Sequence, residues 1–117
     1  MVALMHRGEV WVARLNPNQG REIGKTRPVV IIQADTVTAI GHNPIIVLPL
    51  TTQLYPGLQH WRVSLPARDR LLKECQIVID QPRALDRSRF GEGPLTTLTG
   101  EELATVEKSL KAVLGMH

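Results

Sequence analysis

RPVVIIQ (27–33), NPIIVLPLTT (43–52) and ECQIVIDQ (74–81) are short apolar runs rich in β-branched residues, and no long helical period separates them. Runs of this length and composition read as well-buried strands. Parallel neighbours need a crossover of about a dozen residues or more, usually helical. The connections here are turn-rich instead, as in NPNQG (16–20) and the Pro-Gly of QLYPGLQH (53–60), which suggests antiparallel pairing. GEVWVARL (8–15) and WRVSL (61–65) alternate and add two half-buried strands, and GEGPLTTL (91–98) offers a turn and a short one. ADTVTAIG (34–41) has room for one helical turn with Asp35 as its cap. PARDRLLK (66–73) fits neither period, and PRALDRSRF (82–90) reads as a basic connection.

Only the last segment carries a sustained helical pattern. Thr99-Gly-Glu-Glu102 has the spacing of a capping box. Leu103, Val106, Leu110, Val113 and Leu114 follow at helical intervals, and Gly115 closes the helix. The expected fold class is mainly β (α+β): a small antiparallel barrel with a C-terminal α-helix packed on it. At 117 residues the chain predicts one domain, residues 1–117, large enough to bury a core without disulfides or metal.

The single cysteine, Cys75, excludes an intrachain disulfide and fits a reducing compartment. No apolar run approaches membrane-spanning length, and MVALMHRGEVW lacks the layout of a signal peptide, so the expected location is the cytoplasm. The net charge of +3 is unevenly spread. Residues 1–30 hold five basic against two acidic side chains, and residues 61–90 hold seven against four. A fold that joined these blocks would present a positive face suited to an anionic partner. Aromatic residues are few (Trp11, Tyr55, Trp61, Phe90), so a nucleic acid would be held through phosphates and polar contacts more than by stacking.

The chain has no phosphate-binding glycine loop, no nucleophile elbow and no metal-ligand spacing among His6, His42, His60 and His117. Two strand ends remain. Arg27 precedes Pro28, which restricts it to extended backbone and, lacking an N–H, belongs at a strand start or edge. Thr51 and Thr52 end the next apolar run. An arginine fork fits a phosphate, a threonine hydroxyl both donates and accepts, and Glu22 on the preceding loop could take a proton. That set suits metal-free cleavage of RNA, in which a 2′-hydroxyl attacks the adjacent phosphorus. The bland alternative pairs Arg27 with Glu22 or Asp80 and leaves Thr51 and Thr52 as ordinary β-formers.

RGEVWVARLNPNQGREIGKTRPVVII, LPLTTQ and IVIDQPRALDRSRF, in that order and followed by the terminal helix, resemble the MazF/PemK (Kid-like) toxins of toxin–antitoxin pairs. The resemblance spans roughly residues 7–115. It implies an SH3-like barrel, a homodimer, and sequence-selective, metal-independent cleavage of single-stranded RNA, chiefly mRNA, with no cofactor. It also implies a cognate antitoxin whose flexible acidic C-terminal segment occupies the RNA groove. By the resemblance Arg27 and Thr51 are catalytic and Glu22 contributes. Arg21, Lys25, Thr52, Asp80, Gln81 and Arg83 would contact RNA. Three positions depart from the family pattern: Arg21 stands where some members have histidine, Val78 where some have arginine, and Cys75 replaces a common serine. Two other readings stay open: a gyrase-binding toxin of the same fold without nuclease activity, which would not need Arg27 and Thr51, and a non-catalytic RNA-binding module.

Overall fold

A computed structural model describes residues 4–15, 25–54 and 61–116. In chain order the elements are β1 (Glu9–Arg14), β2 (Thr26–Ile31), α1 (Asp35–Ala39), β3 (Ile45–Thr51), β4 (Arg62–Leu65), β5 (Cys75–Val78), β6 (Arg83–Leu85), a 3-10 turn (Arg87–Arg89), β7 (Thr96–Thr97) and α2 (Gly100–Val113). Every strand pair is antiparallel, in the order β4-β5-β3-β2-β1-β7, with β6 also on β3.

Alternation along the strands builds two cores, one on each face of this sheet. Val10, Val30, Leu48, Leu50 and Ile77 point to one side, where they meet Val106 of α2. Their chain neighbours Trp11, Val29, Ile31 and Val47 point to the other and pack with Ala13, Ile45 and Leu85. The sheet curls until its margins meet. After β4 the chain turns through Asp69 in the left-handed region, and Arg70 N donates to Leu95 O at 3.0 Å beside β7. Arg68 clamps the same seam, donating to Thr96 Oγ1 at 3.1 Å and Thr97 O at 3.0 Å. The stretch 66–73, which fits neither period in sequence, is thus the closure of the barrel.

The terminal helix forms as its sequence predicts. Thr99 Oγ1 accepts from Glu102 N at 3.1 Å, and Glu102 Oε1 accepts from Thr99 N at 2.8 Å. Arg68 then grips Glu102 with both ends of its fork, at 2.7 and 2.6 Å. At the other end Gly115 takes a positive φ of 73°, Met116 N reaches Lys111 O and Gly115 N reaches Ala112 O, a Schellman motif. Leu103, Val106, Leu110 and Val113 pack as expected, but Leu114 is the C-cap and lies exposed, because the helix stops before it. Asp35 is the first residue of α1 and not its cap, which is Ala34. Its carboxylate accepts from Arg7 N at 2.7 Å instead. The basic connection 82–90 contains β6 and the 3-10 turn, capped by Asp86 through Ser88 N at 2.9 Å.

Candidate active site

The β2–β3 ladder pairs Ile31 with Val47, Val30 with Leu48 and Val29 with Pro49. The observed pairs end there, and two further steps of the same register would bring Arg27 opposite Thr51. The ladder stops short of them for a reason carried by Pro28. Leu15 N donates to Lys25 O at 2.7 Å, so in the β1–β2 pair positions 25, 27 and 29 turn their hydrogen-bonding groups toward β1. Position 28 must therefore turn its N–H toward β3, and proline has none. Pro49 likewise interrupts the far edge of β3, between the stretch paired with β6 and the stretch paired with β5. Arg27 and Thr51 flank a place where two strands lie side by side with fewer hydrogen bonds joining them.

Directly opposed residues share a face. Arg27 faces Ala13 on β1, Thr51 faces Gln76 on β5, and Gln76 faces Ser64 on β4. A polar row, Thr51–Gln76–Ser64, thus runs across three strands at one end of the face that carries Trp11 and Val29, and a continued β2–β3 register would add Arg27 to it. Thr51 and Gln76 are 5% and 7% exposed, so any ligand that contacts them loses its water there. Thr51 Oγ1 accepts from Gln53 N at 3.1 Å. That bond occupies one lone pair of the oxygen and leaves its O–H to donate.

The other expected residues spread out from this row. Lys25, exposed and with a positive φ of 67°, lies two positions before Arg27. Thr52 points to the opposite face and lines a cleft of about 210 Å³ with Pro28, Leu71 and Cys75. Arg83 faces Val47, four residues up β3 from Thr51, or roughly 13 Å at strand rise. Asp80 and Gln81 occupy the bend between β5 and β6, with Asp80 exposed. Arg21 and Glu22 lie outside the described residues.

The family model for the PemK-like, MazF-like toxin of type II toxin–antitoxin systems matches residues 6–114. The chain belongs to this toxin family. An endoribonuclease MazF of Staphylococcus saprophyticus is 35% identical over 115 residues, covering 97% of this chain and 94% of that protein. The crystal structure of MazF from Deinococcus radiodurans superposes with a TM-score of 0.80 at 26% identity, covering 97% of this chain and 99% of that one. A MazE–MazF crystal structure from the same organism superposes at 0.76 with 25% identity, covering 98% and 99%. The curled antiparallel sheet with a C-terminal helix is the fold of these PemK/MazF-like structures.

In this toxin, Gln76 and Ser64 are row members that sequence reasoning missed. No local pattern marks them, since their place depends on the register between β3, β5 and β4. Cys75, one residue from Gln76, points into the core on the α2 side, where burial first and the Glu74 charge second push its thiol up. Its Sγ contacts Lys73 O at 3.3 Å, and this cysteine is a core residue. No helix among the described residues is long and apolar enough to cross a membrane.

Proposed function

We propose that this toxin is an endoribonuclease that cuts single-stranded RNA, chiefly mRNA, without metal or cofactor, and that residues 1–117 act as one toxin domain. The substrate's 2′-hydroxyl loses its proton, the new O2′–P bond forms and the P–O5′ bond breaks, and the departing 5′-oxygen takes up a proton. Glu22, just ahead of Arg27 in sequence, is the carboxylate assigned to the first proton. Arg27 meets the charge that builds on the phosphoryl oxygens with a planar, permanently charged fork. Thr51 donates its O–H to the same group. The observation that supports this reading is the β2–β3 ladder, which pairs Val29 with Pro49 and, carried on by two residues, would set Arg27 beside Thr51.

Arg21, Lys25, Thr52, Asp80, Gln81 and Arg83 contact the RNA on either side of the cut. The roughly 13 Å along β3 between Thr51 and Val47, the partner of Arg83, suits a substrate several nucleotides long. The toxin works as a homodimer in the cytoplasm, and a cognate antitoxin with a flexible acidic C-terminal segment competes with RNA for the basic face. The MazE–MazF structure to which this chain is similar supports that pairing.

The test is incubation of a long heterogeneous single-stranded RNA with the purified protein in EDTA, followed by sequencing of the new 5′ ends. Recurrent cuts at one short word are expected, together with loss of cutting when the nucleotide 5′ to the cut carries 2′-deoxyribose. Cleavage of that deoxy substrate excludes attack by the 2′-hydroxyl.

A further inference from the structure

β2 begins at Thr26 and its antiparallel neighbour β3 ends at Thr51, so Pro28 and Thr52 lie at one end of the barrel. There they line the cleft of about 210 Å³. Leu71, Cys75 and Leu95 supply much of its wall and also belong to the core that packs against α2, which places the cleft at the mouth of that interior. Leu72 completes the apolar lining and is 84% exposed, a large apolar side chain left in water at the rim. Thr52 brings the one hydroxyl of the lining. Of the two cations there, Arg70 is ion-paired with Glu92, and Lys73 is followed by Glu74, whose charge reaches the Cys75 thiol. The cleft is therefore not set up for a phosphate. Apolar walls with one neutral hydrogen-bonding group, at the mouth of a β-barrel, suit a flat group with apolar faces and polar edges.

Single-stranded RNA carries such groups. Its bases splay out of the chain, and proteins read them by packing on their faces and bonding their edges. Pro28 directly follows Arg27, and Thr52 directly follows Thr51. The cleft thus adjoins the two residues assigned to the scissile phosphate. We propose that this barrel mouth is a subsite for one of the two bases that flank the cut. The base packs on Pro28 and Leu72, and an edge atom bonds to the Thr52 hydroxyl, which both donates and accepts. The inference rests on the ribonuclease reading and deepens it, because it assigns part of the sequence selectivity to this cleft. Covering the rim also removes the Leu72 side chain from water, which favours binding.

The test uses a fluorescent RNA that contains the recurrent cut word, with 2′-deoxyribose at the nucleotide 5′ to the cut so that it binds without being cut. The two bases flanking the cut are removed one at a time, leaving an abasic sugar. Loss of one of them should weaken binding to the parent roughly tenfold. The same loss should weaken binding to Thr52→Val/Leu72→Ala at most about twofold, because that variant no longer makes the contact. In the profile of cut sites on cleavable RNA, Thr52→Val relaxes the preference at that same position and Thr52→Ser retains it. Leu114→Ala, which trims another exposed leucine at the end of α2, behaves as the parent in both assays. A folded double variant that loses as much as the parent on removal of either base overturns the subsite. So does a double variant that sediments as a smaller species and keeps the parent's base dependence, which marks a contact between copies of the chain. A parent that cuts no RNA brings down the ribonuclease reading and the subsite with it, whereas a parent that cuts at one word beside a double variant of unchanged base dependence sinks the subsite alone.

Discussion

The alignment of Arg27 with Thr51 makes a quantitative demand on a double-mutant cycle. Continued two residues past the observed Val29–Pro49 pair, the β2–β3 register would set the two Cα atoms about 4.5–5.5 Å apart with side chains on one face. Both donors then address the same phosphoryl group. Loss of one preorganised donor costs about 3–4 kcal/mol, or 10²–10³ in rate. Independent action would make Arg27→Ala/Thr51→Val slower by the product, about 10⁴–10⁶. Groups this close that share one target are strongly non-additive, so the double variant should fall within about tenfold of the slower single one. The assay is single-turnover cleavage of a quenched fluorescent RNA in EDTA at saturating protein. Thr51→Val also deprives Gln53 N of its acceptor, which costs about 1 kcal/mol of stability, and a melting curve separates that loss from chemistry. Thr51→Ser keeps the hydroxyl and should retain most of the rate. A double variant that shows the full product of the single effects, or Thr51→Val at the parent's rate, refutes the shared target.

Glu102→Gln should lower stability by about 1–2 kcal/mol at neutral pH, since it weakens both the helix cap and the Arg68 grip. The Arg68 side-chain hydrogen bond, ahead of other causes, holds this carboxyl below its ordinary 4.5. Its stabilisation is therefore present above that value and lost as pH falls through the lowered folded value. Urea midpoints of the two proteins should draw together as pH falls below the ordinary carboxylate value, and a gap that stays constant counts against the assignment. Native Cys75 should resist an aromatic disulfide reagent at neutral pH and react at least about a thousandfold faster in denaturant, because it is buried and its thiol is pushed up. Immediate native labelling contradicts that placement. Gly93→Ala drives a Cβ into the Trp11 ring. It should cost about 1–3 kcal/mol and shift the tryptophan emission, and an unchanged melting temperature speaks against so close an approach.

The long elements were legible because their signals are local. The Thr99–Glu102 box, the stripe through Val106 and the runs around Val29, Leu48 and Ile77 each announce themselves within a few residues. β6 has three residues, of which only Leu85 is buried, and Arg83 and Ala84 carry no periodic signal. Asp35 has the chemistry of a cap, but Arg7, 28 positions away, takes its carboxylate. The same division runs through the candidate site. Arg27 stands out because Pro28 follows it, and Thr51 because a strand ends there. Gln76 and Ser64 join the row only once strands distant in sequence are set in register.

The seam at Arg68 and Arg70 has a consequence for how copies of this protein treat one another. An open sheet offers strangers two rows of bare amide and carbonyl groups, the usual template for aggregation. Here residues 68–70, just beyond β4, meet residues 92–97 around β7 through the Arg70 N–Leu95 O bond, the Arg68 clamp, the Thr96 hydroxyl donating to Asp69 and the Arg70–Glu92 ion pair. Parting of residues 66–71 from residues 95–97 bares both rows at once while the rest of the molecule keeps its shape. Clumping on mild heating should therefore begin from a nearly native species, and a proteolytic nick at this stretch should provoke it at temperatures the intact chain tolerates.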